Sequence, residues 1–315
     1  MNNILLSLLV LLLTSPVPLR AAKGTAAGNV LLISPSGRAL AMSEAVSAFS
    51  GGVQGVSGLH YNPAATHGLG SMEVSIMGQA GMADDHFGSL LFGVPTARGT
   101  FAGNFFYYTA GDVDLIDTLG RKRTVAAEKD YGVGLNYSES FFEGIATGIS
   151  LKFFKSQLIE SFSDTSIALD IGAQTGLFAK KLALGISAAN IGSDLTYIEA
   201  SEPLPLTFRL GGAYSLFNNP NAKAFLSGDV AKEKDEDLKE FIGFEYVWNG
   251  TVALRAGYKS GQDLGRFSGG AGFMLGKTDV HYALTDGGKA GRSHAVSVGY
   301  KFGEKPAETR RSLYR

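Results

Sequence analysis

The chain has no cysteine. Disulfides and thiolate-bound metals are therefore excluded. Charge is scarce as well. Only 18% of residues are charged, and 28 basic against 29 acidic side chains leave a formal net charge of −1. Nucleic-acid binding calls for a clustered basic surface, so this balance argues against such a partner. Long apolar runs are missing too. The longest, Ile4 to Leu13, is interrupted by Ser7, and ten residues fall well short of the about 20 a membrane-spanning helix needs. Catalytic signatures are equally absent. No Gly-rich stretch has phosphate-loop spacing, no nucleophile–base motif occurs, and His60 and His67 stand too far apart for a common zinc pair. The expectation is a protein without catalytic residues, cofactor or metal site.

What is abundant is glycine, with 42 residues, and aromatic side chains, at 10%. That composition suits a β-protein with tight turns and aromatic belts. Residues 1–22 read as a secretory signal peptide, with Ala21 and Ala22 as small residues for cleavage. No Lys or Arg precedes the apolar run, and Arg20 lies close to the cut, so an uncleaved anchor stays open as an alternative.

From residue 71 the dominant signal is period two. In residues 251–260, Val252, Leu254, Ala256 and Tyr258 share one face, and Arg255, Gly257 and Lys259 lie opposite. Residues 292–302 repeat the scheme. Fourteen such segments centre on 71–80, 85–94, 98–110, 130–138, 144–155, 164–176, 180–190, 204–216, 222–231, 239–248, 251–259, 266–275, 277–285 and 292–302. Most have about ten residues, the length a tilted strand needs to cross a bilayer, and the number is even, as in bacterial outer-membrane barrels. Links such as 95–98, 178–181, 248–251 and 276–278 are short. They alternate with mostly longer polar ones such as 111–129, 191–203, 232–238 and 285–292. Phe105, Phe106, Tyr107, Tyr108, Phe153 and Phe154 read as one interfacial aromatic belt, and Trp248, Tyr300 and Phe302 as the other.

In lipid every backbone polar group must be paired within the protein, so a sheet must close on itself. The expected fold is all-β: a 14-stranded antiparallel transmembrane β-barrel over residues 71–303. Its polar luminal face would carry Lys152, Asp170, Arg209, Glu245, Arg255, Asp279 and His281. A short, partly helical plug would occupy residues 23–70. Residues 304–315, with three arginines, would form a polar periplasmic tail.

Within the plug, residues 59–66 read LHYNPAAT. Asn62 suits an N-cap, Pro63 the first helical position, and Gly68 a left-handed end. An ordinary surface turn is the plainer alternative. Residues 35–49 read as a helix opened at Pro35 or Ser36 and closed by Gly51 and Gly52, with a small apolar stripe of Leu40, Ala41, Ala45 and Ala48. A soluble amphipathic segment is its alternative.

Residues 36–42 (SGRALAM), 44–48 (EAVSA) and 59–65 (LHYNPAA) resemble the N-terminal signature of PorV/PorQ-type outer-membrane proteins, which are related to the FadL-type long-chain fatty-acid transporters. The motif similarity covers about residues 33–70. It implies a barrel whose N-terminal segment folds into the lumen, with Asn62, Pro63 and Ala64 turning the chain from plug to first strand. Such proteins often carry an acidic pair before the Asn-Pro-Ala. Here the stretch is Ser50-Gly51-Gly52-Val53-Gln54, so that pairing does not transfer. The resemblance implies a non-enzymatic barrel that binds or shuttles exported proteins at the cell surface, as in type IX secretion. The alternative is passive FadL-like transport of hydrophobic small molecules, with a plug that shifts and a lateral gap in the wall. An apolar luminal pocket near Leu40, Met42, Phe49 and Leu59 would favour transport, and a polar lumen sealed by charged pairs would favour the secretion role. Either role places a monomeric barrel in a Gram-negative outer membrane, among lipid and lipopolysaccharide, after insertion by the barrel-assembly machinery. Residues 297–302 partly match the signal that machinery reads.

Overall fold

The computed structural model describes residues 27–303, apart from 83, 117, 143, 178–180, 198–200 and 262–265. The signal peptide and the polar tail read from the sequence lie outside the described residues.

Fourteen strands close into one antiparallel barrel. In chain order they are β1 (Met72–Ala80), β2 (His86–Pro95), β3 (Gly99–Thr109), β6 (Glu128–Phe142), β7 (Ile145–Leu158), β8 (Phe162–Leu177), β9 (Leu182–Gly192), β12 (Thr207–Asn218), β13 (Ala222–Glu233), β14 (Leu238–Trp248), β15 (Val252–Ser260), β16 (Phe267–Leu275), β17 (Thr278–Asp286) and β18 (Arg292–Phe302). Closure is made by β1 against β18, from Met72↔Phe302 to Ala80↔His294. Each of the fourteen segments read from the alternation is a strand of this wall. The larger differences fall at strand ends, where β6 runs through much of what read as the link 138–144.

Two small hairpins were not foreseen. The link 111–129 carries β4 (Asp112–Ile116) paired with β5 (Lys122–Ala126), and the link 191–203 carries β10 (Leu195–Thr196) paired with β11 (Ser201–Glu202). Their strands have only two to five residues, too few for an apolar period to mark them. Both hairpins stand at the same rim. The opposite rim is turned by tight links such as Asn249-Gly250, both at positive φ (49° and 65°), the conformation that Asn-Gly favours in hairpins.

The wall is polar inside and apolar outside. Along β1, Glu73, Ser75 and Met77 are buried inward while Ile76 stands exposed outward. The outer face continues through Leu90, Val133, Ile149, Ile167, Ile186, Leu210, Ile242, Leu254 and Val298. So continuous an apolar band in water would be an aggregation surface; against hydrocarbon it is the expected face of a membrane barrel. Aromatic pairs mark both rims: Tyr107–Tyr131 and Tyr258–Phe267 at the hairpin rim, Phe101–Tyr137 and Tyr300–Phe302 at the other. Phe106 and Phe154, read as belt residues, are buried inside instead and stack on one another. Strand alternation turns them away from Phe105 and Phe153.

The lumen is filled by residues 27–70. A 3-10 turn, Asn29–Leu32, is followed by a single helical turn, Gly37–Ala41, capped by Ser36, whose Oγ accepts from Ala39 N at 3.2 Å. The helix read over 35–49 stops there, because Ser43 and Glu44 adopt positive φ (48° and 69°) and swing the chain across the lumen. Gly51 and Gly52 do not close that helix. They begin a separate turn, Gly51–Gln54. Pro63–Gly68 form a 3-10 helix with Pro63 at its start and the Asn62 side chain accepting from Ala64 N at 3.0 Å. It does not end on a left-handed Gly68; Leu69 follows in extended conformation. Gly68 is instead a place of close approach, where a Cβ would lie 2.8 Å from that of Ser50.

Candidate functional site

The Asn62–Ala64 turn is gripped by the wall through its backbone. Asn62 is wholly buried (0% exposed). Its Nδ2 donates to the carbonyls of Ala173 (3.0 Å), Ser47 and Ile186 (both 3.3 Å). Asn136 of β6 donates to the Pro63 carbonyl at 3.1 Å and accepts from Thr66 Oγ1 at 2.7 Å. Ser187 donates to the Tyr61 carbonyl at 2.7 Å, and Gln174 to that of Ser47 at 2.7 Å. Glycines let the turn lie flat on the wall: a Cβ on Gly148 would stand 2.3 Å from the Pro63 carbonyl carbon, and one on Gly172 would stand 2.1 Å from Asn62 Oδ1.

The seven polar residues read from the strands all face the lumen and divide into two groups. In the first, Glu245 is set between two guanidinium groups. Arg255, its ladder partner on β15, donates through Nε to Glu245 Oε1 at 2.7 Å. Arg38, from the helical turn of the plug, donates to Glu245 Oε2. Arg255 Nη1 also lies 3.3 Å from His281 Nδ1, and His281 Nε2 lies 3.2 Å from Asp279. Glu245 is 1% exposed, so this is a buried network joining plug and wall.

The second group surrounds a cavity of ≈ 320 Å³ at the hairpin end of the lumen. Lys152 lies 2.6 Å from Asp170 and donates to Asn190 Oδ1 at 2.8 Å. Arg209 lies 3.2 Å from Asp229 and reaches the Glu44 carbonyl at 3.2 Å. Its guanidinium is sandwiched between the rings of Phe241 (4.6 Å) and Tyr61 (5.4 Å). Lys259 holds Glu44 at 3.0 Å, and Lys239 holds Glu233 at 2.7 Å. Leu31, Leu32, Ile33 and Leu40 supply an apolar side. Burial alone would raise the Glu44 carboxyl, but Lys259 and Arg209 outweigh it and hold it below its ordinary value. His60 is pushed down to about 3 by burial first and then by the cations Lys152 and Arg209, against a smaller opposing pull from Glu44. It meets the cavity as a neutral ring.

The four residues read as an apolar pocket are dispersed. Leu40 lines the cavity. Met42 and Phe49 pack with Val46, Tyr61 and Phe225, while Leu59 packs with Val56, Leu69 and Leu91. The luminal set read from sequence left out Arg38, Glu44 and Asp229, and also Lys259, although the alternation places Lys259 on the polar face of its strand. Arg38 and Glu44 could have been noticed as charges within a stretch of small residues. The lateral gap that belonged to the transport alternative has no counterpart among the described residues, where the ladder joins every neighbouring pair of strands. Beside the cavity it is merely irregular, with a register shift between Leu169 and Ile171 opposite Asn190, which takes φ 62°.

No family model and no curated protein matches the chain. Solved structures do. The Ralstonia pickettii toluene transporter TbuX aligns with 86% of this chain and 98% of its own, at 12% identity and a TM-score of 0.60. The CymD monoaromatic hydrocarbon channel aligns with 85% and 97%, at 13% identity and 0.58. A Pseudomonas aeruginosa FadL homologue aligns with 84% and 98%, at 11% identity and 0.57. At such identities the likeness is one of fold: this chain has the closed fourteen-stranded architecture of FadL-like outer-membrane barrels. The resemblance to PorV/PorQ proteins finds no support in these comparisons.

Proposed function

We propose that this protein is a non-enzymatic outer-membrane channel that passes small molecules by diffusion and is gated by its own residues 27–70. The carrying observation is the ≈ 320 Å³ cavity inside the barrel, opening among the strand ends of the hairpin rim and floored by a plug whose apolar contacts with the wall are joined by many polar ties. Polar ties can be exchanged for water or ligand contacts at small net cost, because a typical intramolecular hydrogen bond contributes only about 0.5–1.5 kcal/mol. The apolar outer face supports a membrane setting, and the likeness in fold to proteins described as hydrocarbon channels and transporters supports transport. Within this reading residues 1–22 direct export, the barrel-assembly machinery inserts the chain, and the hairpin rim faces outward among lipopolysaccharide. The test is solute uptake into liposomes holding the purified protein. Uptake above that of empty liposomes is expected; an impermeable barrel refutes the channel.

The secretion-like role is the second reading. Its support is the criterion set from sequence: the lumen is polar and sealed by charged pairs. Native mass spectrometry of protein extracted from its own membranes separates the two. A bound exported protein or secretion component favours the second reading, and a retained small molecule without a protein partner favours the first.

A further inference from the structure

The cavity at the hairpin rim is not built for a hydrocarbon. Lys152, Arg209, Lys239 and Lys259 line it, against the two carboxylates Glu44 and Glu233. Two of the cations have their counter-ions outside the lining: Asp170 and Asp229 sit behind Lys152 and Arg209 in the wall. A molecule in the cavity therefore meets more positive than negative charge at short range. Donors are also in reserve. The hydrogen bonds of Arg209 run through Nη1, and the ring sandwich fixes its plane. Lys259 directs one bond to Glu44, and an ammonium group has three donors.

One acceptor is in reserve as well. Gln79 lines the cavity and donates to Ser293 at 3.0 Å, while its Oε1 is buried without a donor. A buried acceptor left in that state costs about 1–3 kcal/mol, so the site favours a molecule that carries hydroxyl groups as well as an acid. Size adds a bound, since ≈ 320 Å³ lies at the low end of the about 300–1,000 Å³ of small-molecule sites.

We propose that this cavity is a binding site for small hydroxylated organic acids, of the size of a sugar acid, whose carboxylate is received by Arg209 and Lys259 and whose hydroxyl groups meet polar side chains such as Gln79. This rests on the channel reading for its role in transport, but not for binding. Isothermal titration of the detergent-solubilised, full-length protein with D-glucuronate, D-glucose and toluene tests it. Glucuronate is expected to bind at least tenfold more tightly than glucose, and toluene not to bind. Lys259→Gln is expected to weaken glucuronate about tenfold and Arg209→Gln more. Should Arg209→Gln fail to fold, the wild-type ligand ranking and Lys259→Gln still decide. Equal affinity for glucose and glucuronate, preference for toluene, or no binding of glucuronate overturns the proposal. Glucuronate flux into liposomes is measured in parallel. Binding without flux sinks the channel reading and leaves the site intact. Flux of neutral solutes without acid binding does the reverse.

Discussion

Glu245→Gln should release the plug without dismantling the wall. Two guanidinium groups share this carboxylate, one from the plug and one from β15. Removing its charge leaves Arg38 and Arg255 buried, adjacent and alike in sign. Stranding a buried charge costs about 3–5 kcal/mol. The backbone ladder between β14 and β15 runs from Glu240↔Ser260 to Trp248↔Val252 and does not need the carboxylate, so the loss falls on docking of residues 37–41. Converted at about 1.4 kcal/mol per decade, it raises the undocked population by roughly two to four orders of magnitude. Amide hydrogen exchange at Ala39–Ala41 reads that population directly, and single-channel conductance in planar bilayers reads its consequence. Arg38→Met is the informative companion. It removes the plug's cation but leaves Glu245 paired with Arg255, so its effect should be clearly smaller. Unchanged exchange in Glu245→Gln, or a larger effect from Arg38→Met, would refute the reasoning.

Three further outcomes are expected. Gly148→Ala should unseat the Asn-Pro-Ala turn and raise conductance, because its Cβ would meet the Pro63 carbonyl carbon at 2.3 Å, whereas Gly88→Ala, whose nearest neighbour would be 3.9 Å away, should be neutral in the same recording. Ile186→Arg puts a charge on an outward side chain that is 59% exposed; if that face meets lipid, it should lose about 2–4 kcal/mol of barrel stability in denaturant titrations of protein in vesicles, and no loss would argue against a lipid-facing wall. Docking should weaken as pH falls through the window from 6.5 to about 3, because the undocked His60 takes up a proton more readily than the buried one. His60's contribution is complete above that window and falls by at most about 1.4 kcal/mol per pH unit within it. Protection of the plug amides, taken relative to their intrinsic exchange rate at each pH, should therefore fall between about pH 7 and about pH 4 in the wild type and change less in His60→Asn.

The wall was legible in sequence because each strand repeats one rule over about ten residues, as in Val296, Val298 and Tyr300 against Ser297 and Gly299. The plug was legible only in part. The Asn62-Pro63 start shows locally, since cap and proline are neighbours. The end of the first helical turn does not, because Ser43 and Glu44 take positive φ in response to the lumen around them rather than to their own propensities. The ion pairs between plug and wall were hidden by distance along the chain: Arg38 and Glu245 are 207 residues apart, and no local pattern joins them. The supposed apolar pocket failed for a related reason. Met42 and Phe49 share one cluster while Leu40 and Leu59 belong to two others, so a stripe in sequence becomes separate contacts in space.

The course of residues 27–70 has a mechanical corollary. Ala27 stands at the hairpin rim, its amide on the Pro203 carbonyl at 3.0 Å. Leu69 lies at the opposite rim against Leu91, just before β1 begins. The filling is thus a cord threaded through a ring and knotted to it at one end. Tension applied at the hairpin rim only tightens the cord against its anchor at Met72. Tension from the other rim draws it out, breaking the polar ties one after another, and the same knot keeps the withdrawn cord beside the mouth it must re-enter.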